Sequence, residues 1–135
     1  IIPQMFRVPV VYVNRTSIFI ISSWALNGLF IFKKFYIRNE DRYMTFSEIM
    51  NLEFGGKNTN EIFAELNLEL IENTPAEIRA VTVEMDERLN GTWETTQQDE
   101  ELQKCFWALF GPGKLKSQNL RIGAEYLRQN KHLLI

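Results

Sequence analysis

The chain contains little cysteine and little histidine. Its 135 residues include one cysteine, Cys105, and one histidine, His132. A single cysteine excludes an internal disulfide and is typical of proteins from a reducing compartment, so we expect a cytoplasmic location. A lone histidine without cysteine or carboxylate ligands at the usual spacing does not indicate a metal site. We therefore expect no metal and no cofactor, with His132 at the surface and Cys105 packed in the core or partly buried.

The chain also lacks an excess of charge of one sign and a long hydrophobic run. Its 15 basic and 17 acidic residues give a net charge of −2, and the basic residues form no stripe. This charge distribution excludes the electrostatic pattern of a nucleic-acid partner. The most apolar segment, residues 17–32, is interrupted by polar residues and is shorter than the roughly 20 residues of a spanning helix. We therefore expect no transmembrane segment.

Few residues point to catalytic chemistry. The sequence has no G-x-G-x-x-G, Walker, G-x-S-x-G or H-E-x-x-H motif, so it lacks the standard signatures of several nucleotide-binding and hydrolytic sites. The three tryptophans, Trp24, Trp93 and Trp107, would suit stacking against sugar rings. Packing in the core or at a hinge is the favoured interpretation for each of them. We predict no catalytic residue from these features.

The segment LELIENTPAEI at residues 68–78 predicts a short strand that leads directly into a helix. Thr74 and Glu77 form a capping box, in which each side chain accepts a hydrogen bond from the other residue's backbone N–H. Pro75 takes the first helical position, where its missing N–H is harmless. Apolar residues at 78, 81, 85 and 89 form one face, and Asn90-Gly91 ends the helix. We therefore predict a helix over residues 75–89.

The rest of the sequence predicts more helices than strands. Apolar runs at residues 8–13 and 29–32 are typical of strands buried on both faces, as in a parallel sheet. With residues 68–71 they make three predicted strands. Capping signals and apolar periodicity predict further helices at residues 46–52, 59–66, 100–110 and 120–134, with a polar connection at 92–98. The fold class is therefore α/β, a partial Rossmann-like domain with few parallel strands and several helices.

Polar loops follow two of the predicted strands. Loops at the carboxyl ends of parallel strands line the ligand crevice of open α/β sheets, and a helix N-terminus offers free N–H groups to a phosphate. We therefore predict a binding site for a phosphorylated ligand in two loops. Its residues are Asn14, Thr16 and Ser17 after the first strand, and Glu72, Asn73 and Thr74 after the third. The alternative is that these side chains only cap helices, which is a sufficient explanation of Thr74.

A succession of segments along the chain resembles a known group of enzymes. The segments are VPVVYVN at 8–14, LFIFKK at 29–34, TFSEI at 45–49, IENTPAEI at 71–78, EM, RL and GTW between 84 and 93, and RIGAEYL at 121–127. In this order they are similar to the C-terminal region of a group of bacterial glycosyltransferases linked to surface-carbohydrate synthesis. That group resembles GT-B enzymes, in which two Rossmann-like domains enclose the sugar donor.

The resemblance implies that residues 1–135 are a single C-terminal α/β domain portion, a fragment without the upstream acceptor domain and first strands. The full-length protein would use a nucleotide-sugar donor and a carbohydrate acceptor, without a bound metal. In GT-B enzymes the acceptor domain commonly supplies the catalytic base, so we expect this chain alone to be inactive. One departure is that the family's Gly/Ser/Thr-rich donor loop does not precede the first strand here.

Two expectations follow for function and assembly. The first interpretation is the donor-side portion of a glycosyltransferase, and the alternative is a non-catalytic α/β interaction or regulatory module. If the chain is a fragment, the strand at residues 8–13 should have neighbours that the chain does not contain, and the unpaired apolar edge that remains tends to associate. We therefore expect a homo-oligomer.

Overall fold

The computed structural model of the protein describes residues 9–16, 28–54, 59–109 and 120–134. Strands and helices alternate irregularly along these residues. In chain order the elements are β1 (Val11–Arg15), β2 (Leu29–Phe32), β3 (Lys34–Ile37), β4 (Arg42–Tyr43), α1 (Phe46–Phe54), α2 (Thr59–Leu66), β5 (Leu68–Ile71), α3 (Pro75–Leu89), α4 (Gln97–Ala108), β6 (Arg121–Ile122), α5 (Ala124–Gln129) and a 3-10 turn (Lys131–Leu134).

The strands form two small sheets. One is parallel, with the order β1-β2-β6, and the other is antiparallel, with the order β4-β3-β5. The chain passes from the first sheet to the second at Lys33, the single residue between β2 and β3. The predicted mixed α/β fold with a small parallel sheet and several helices is confirmed.

The core lies around β2. All four residues of this strand are buried, because β1 and β6 cover its edges and helices pack on its faces. Aromatic rings fill the space between β2 and the helices, with Phe32, Phe46 and Phe106 separated by centroid distances of 5.2–6.1 Å. The contacts of Phe46 with the other two rings are edge-to-face, and such contacts add to the stabilisation that comes from burying apolar area.

The predicted start and end of α3 are confirmed. The N–H of Glu77 donates to the Thr74 hydroxyl at 3.1 Å, and the N–H of Thr74 donates to the Glu77 carboxylate at 2.8 Å. At the other end Gly91 adopts a left-handed conformation with φ +72, while Asn90 stays in the right-handed region. A second capping box, between Thr45 and Glu48, opens α1.

The expectation of only three strands is wrong. β4 and β6 have two residues each, too few to give a period, and β3 follows β2 after one residue. The strand at Leu68–Ile71 is confirmed, but it pairs antiparallel with β3 and does not join the parallel sheet. The first strand is Val11–Arg15, and residue 8 of the predicted strand 8–13 lies outside the described residues. The strand ends two residues later than predicted, because the N–H of Lys33 donates to the carbonyl of Arg15 and extends the pairing.

Two helix predictions also need correction. α4 begins at Gln97, inside the predicted polar connection, because the Thr96 hydroxyl accepts from the N–H of Asp99 at 3.1 Å. The segment 120–134 is not one helix, since Arg121–Ile122 pairs with β2. The N–H of Ala124, at the start of α5, donates to the buried carboxylate of Glu84 at 2.8 Å.

The isolated cysteine and histidine are both at the surface. His132 is exposed, as predicted. Cys105 is also exposed, so the prediction that it is packed in the core or partly buried is wrong. In the part of the chain that the structure describes, none of the helices has the length and apolar character needed to cross a membrane.

Replacing Thr74 by alanine should remove the cap of α3. We expect the free energy of unfolding to fall by about 1 kcal/mol, because the N–H of Glu77 loses its acceptor. Urea titration of the wild type and of Thr74→Ala measures this change. Thr95→Ala, an exposed threonine outside any helix, is the matched control, and an equal effect of both substitutions would show that Thr74 is not a working cap.

An ion pair between α4 and α5 should make stability sensitive to acid. Asp99 is buried, and its carboxylate accepts from Nε of Arg128 at 2.7 Å. This hydrogen bond is the main reason that the pKa of Asp99 lies below its ordinary value. The folded protein therefore binds fewer protons at Asp99 than the unfolded chain does. Its stabilising contribution is complete above the unfolded pKa, about 4, and is lost as pH falls through the lower folded pKa.

Asp99→Asn should remove this part of the acid dependence. We expect the variant to be less stable than the wild type at neutral pH and to lose less stability on acidification below about pH 4. Urea titrations at a series of pH values give the comparison, with the exposed Asp86→Asn as the control. Parallel pH profiles for the wild type and Asp99→Asn would contradict this assignment.

Candidate functional site

The carboxyl ends of three strands meet at one place, which we call the carboxyl edge. β1 and β2 are parallel neighbours and end at Arg15 and Phe32. β5 runs antiparallel to β3 and ends opposite the beginning of β3, with Ile71 paired to Lys34. The chain that leaves β5 therefore arrives beside the ends of β1 and β2, and it brings Asn73 there.

Asn14 and Asn73 bind each other's backbone across the carboxyl edge. The N–H of Asn14 donates to the side-chain oxygen of Asn73 at 2.6 Å, and the N–H of Asn73 donates to that of Asn14 at 2.6 Å. Asn14 has φ +53, a left-handed conformation that asparagine tolerates better than most residues. The strand register of β1 shifts between Tyr12 and Arg15, around Asn14. Asn14 and Asn73 are therefore in direct contact, but Asn14 lies within β1 rather than in the loop after it, and β5 belongs to the antiparallel sheet.

The carbonyl of Phe32 receives two side-chain hydrogen bonds at the same place. Nδ2 of Asn73 donates to it at 3.0 Å, and the hydroxyl of Tyr126 donates at 2.8 Å. Burial, and to a lesser extent the negative charge of Glu77, raises the pKa of Tyr126 far above its ordinary value. The phenol therefore stays neutral and remains a donor. These bonds fix the point where the chain leaves the parallel sheet.

Three basic residues lie at the carboxyl edge and are paired to different extents. Lys34 already forms a salt bridge, because its Nζ lies 3.3 Å from the buried carboxylate of Glu77. Lys33 is only weakly paired, since its Nζ lies 4.0 Å from Glu72, whose side chain is 78% exposed. Arg15 lies over the ring of Tyr12 at 5.5 Å. Nε of Arg15 is buried and has no hydrogen-bond partner within the described residues.

The predicted site residues differ in their side-chain contacts and in their exposure. The side-chain oxygens of Asn14 and Asn73 bind the backbone, and the hydroxyl of Thr74 caps α3. Thr16 and Glu72 are exposed at the carboxyl edge, and Ser17 lies outside the described residues. The contacts of the first three are those of structural residues. A role in ligand binding stays a prediction for all of them.

Sequence reasoning missed the groups at the carboxyl edge that are best placed to meet an anion. Arg15 stands between Asn14 and Thr16 in the predicted loop, and its position among polar residues was a usable signal. Lys33 follows the apolar run of β2 directly, which was a second signal. The sequence around Tyr126 did not indicate its hydrogen bond at the carboxyl edge, because that bond joins it to Phe32, 94 positions away in the chain.

Two cavities lie away from the carboxyl edge. One of about 210 Å³ lies at the amino ends of β1 and β2, beside Gly28 and Arg121. Another of about 420 Å³ lies between α3 and α5, beside Val83 and Trp93. The described residues contain no cluster of three or more histidine, cysteine or carboxylate side chains that would hold a metal ion.

Comparisons with protein-family models, with curated proteins and with solved structures found no match to the chain.

Tyr126→Phe should weaken the carboxyl edge without removing an aromatic ring from the core. We expect a loss of about 1 kcal/mol in the free energy of unfolding, because a buried hydrogen bond to the Phe32 carbonyl disappears. Urea titration measures the loss, and the exposed Tyr43→Phe is the matched control. A variant as stable as the wild type would show that the bond from Asn73 alone satisfies this carbonyl.

Proposed function

We propose that the chain is the donor-side portion of a nucleotide-sugar-dependent glycosyltransferase of the GT-B type, acting in bacterial surface-carbohydrate synthesis. The motif order described above suggests this class. The supporting observation from the structure is Arg15, a guanidinium at the carboxyl end of a parallel strand with a buried Nε that has no partner among the described residues. In open α/β sheets this is the side on which ligands bind.

The charges around Arg15 suit a diphosphate. A guanidinium offers several N–H donors in one plane and binds phosphate oxygens in pairs. The backbone of Lys33 is bonded to that of Arg15 at 2.8 Å, and its ammonium group is held only by an exposed carboxylate. A phosphate at this edge would therefore meet the guanidinium of Arg15 and the ammonium group of Lys33, which would exchange a weak partner for a stronger one.

In this proposal the chain contributes electrostatic stabilisation to the transfer. When a sugar leaves its nucleotide diphosphate, negative charge grows on the departing phosphate oxygens. Arg15 and Lys33 would stabilise that charge in place, which is the usual way in which a rigid site lowers the barrier of such a reaction. The acceptor and the catalytic base would belong to another domain of the full-length protein, so the present chain would bind the donor without turnover.

The proposal assigns different roles to the polar residues of the carboxyl edge. Asn14 and Asn73 would shape the edge through their mutual bonds, and Thr16 and Ser17 would extend it toward the sugar. The location would be cytoplasmic, where activated sugars are available, and self-association through β1 remains part of the proposal. β1 is an edge strand of the described sheet, and its Val11 and Val13 are only partly buried.

Arg15→Ala in the full-length protein should weaken binding of nucleoside diphosphates by about tenfold or more, since one charge-assisted bond of roughly 1.5–3 kcal/mol is lost. Calorimetric titration with UDP, GDP and TDP, and competition by inorganic pyrophosphate, give the affinities. Lys33→Ala should reduce affinity less, because Lys33 has weaker geometry and a partial partner.

The controls separate binding from folding. Lys104→Ala removes an exposed positive charge from α4 and should leave the affinities unchanged. The melting temperature of each variant is measured on the same sample. If none of the nucleotides binds the wild type, or if Arg15→Ala binds them as tightly, the transferase proposal fails and the interaction-module interpretation is preferred.

A further inference from the structure

β1 contains an extra residue where it pairs with β2. Tyr12 pairs with Phe30, and Arg15 pairs with Phe32. Three steps along β1 therefore match two steps along β2, which is the pattern of a β-bulge. Asn14, with φ +53, lies within this irregular stretch. A residue in the left-handed conformation is one of the ways in which a strand accommodates the extra residue of a bulge.

The bulge decides which face of the sheet carries Arg15. Side chains alternate between the two faces of a strand, so residues three positions apart normally point to opposite faces. Paired residues on neighbouring strands share a face, and Phe30 and Phe32 lie 6.0 and 6.1 Å from Phe106 of α4. Tyr12 and Arg15 therefore lie together on the α4 face. In agreement, the guanidinium of Arg15 lies 5.5 Å from the centroid of the Tyr12 ring.

A regular strand would direct Arg15 to the opposite face of the parallel sheet, where the surroundings are apolar. Ile31 of β2 points to that face, because it alternates with its neighbours. Ile31 and Val81 of α3 are both buried, and their side chains lie beside Gly123. Burial of a guanidinium there without a partner would cost free energy. The left-handed conformation of Asn14 keeps the charge of Arg15 away from this face.

We propose that Asn14 is a positioning residue of the anion site at the carboxyl edge, because its left-handed backbone conformation places the guanidinium of Arg15 on the α4 face beside Tyr12. This inference rests on the proposed function in taking an anion as the ligand of Arg15. Asn14 acts through Arg15 and does not itself bind the anion. Its side-chain oxygen accepts from the N–H of Asn73 at 2.6 Å, which stabilises the edge but does not select the face.

Two substitutions at Asn14 separate the backbone conformation from the side-chain bond. Asn14→Gly and Asn14→Val both remove the acceptor of the Asn73 N–H. Glycine adopts the left-handed conformation readily, whereas a β-branched residue is a genuine outlier there. In the full-length protein we expect Asn14→Gly to bind UDP and pyrophosphate as the wild type does. Asn14→Val should bind them about tenfold more weakly, as Arg15→Ala does.

The contact between Arg15 and Tyr12 gives a second readout, which needs no ligand. In full-length protein labelled selectively on arginine and tyrosine, a nuclear Overhauser effect between the Tyr12 ring and the Arg15 side chain reports that they share a face. We expect this effect in the wild type and in Asn14→Gly, and its loss in Asn14→Val. A purely structural role of Asn14 would lower the melting temperatures of both variants and leave the contact present in both.

Asn67 provides the matched controls. It is also left-handed, with φ +52, and it is exposed just before β5 begins, at the end of that strand away from the carboxyl edge. Asn67→Gly and Asn67→Val should change neither the affinities nor the contact between Arg15 and Tyr12. If Asn14→Val does not fold, Asn14→Ala replaces it, because alanine also pays a steric cost in the left-handed conformation. Asn14→Ala should then show a weaker contact and a lower affinity than Asn14→Gly.

The contact between Arg15 and Tyr12 decides the outcome. Its loss in Asn14→Gly, or its full retention in the folded valine or alanine variant, would overturn the proposal. Equal affinities of the glycine variant and that variant for UDP would also do so. If the wild type binds neither UDP nor pyrophosphate, the transferase proposal fails, and the contact with Tyr12 still shows whether Asn14 selects the face of Arg15.

Discussion

Two asparagine side chains hold the ends of two sheets together. Asn14 ends the regular part of β1, and Asn73 lies just after β5, 59 residues further along the chain. Each side chain accepts a hydrogen bond from the backbone N–H of the other residue, and Asn73 also donates to the carbonyl at the end of β2. A pair of N–H groups at strand ends would otherwise need water or a further strand.

This contact allows the chain to change sheets at Lys33. β2 belongs to the parallel sheet and β3 to the antiparallel one, with one residue between them. The side chains that bond the Phe32 carbonyl come from different parts of the chain, Asn73 after β5 and Tyr126 on α5. Together they fix where β2 stops, and they leave Arg15 and Lys33 side by side at the carboxyl edge. The proposed anion site is a consequence of this arrangement.

Local chemistry was enough to predict the elements that carry their own signals. The capping box at Thr74 and Glu77 and the left-handed Gly91 depend on residues close by in the sequence, so they were predicted correctly. The predicted apolar face of α3 is confirmed at Val81 and Met85, which are buried, and is wrong at Leu89, which is 63% exposed. The apolar run at 29–32 was also predicted correctly, because a continuous run of large apolar residues is typical of a strand that is buried on both faces.

Features that depend on distant partners were not predictable. β4 and β6 exist because longer strands lie beside them, and β5 is antiparallel because β3 was available as a neighbour. The start of α4 carried a local capping signal at Thr96, but the polar composition of residues 92–98 led to the prediction of a connection there. At the candidate site, the sequence predicted that the segments of Asn14 and Asn73 share an edge but not the bonds between them. It also missed Arg15, whose buried Nε has no hydrogen-bond partner among the described residues.

The central claim is that Asn14 and Asn73 stabilise the fold as a pair. A double-mutant cycle with Asn14→Ala, Asn73→Ala and the combined variant, measured by urea titration, tests it most directly. Each substitution removes the acceptor of one bond and leaves both partners of the other bond in place. We expect a coupling energy of about 1 kcal/mol or more, because the loss of either bond lets the two strand ends separate and weakens the bond that remains. Additive losses, within about 0.5 kcal/mol, would show that the two residues act independently and would contradict this account of the carboxyl edge.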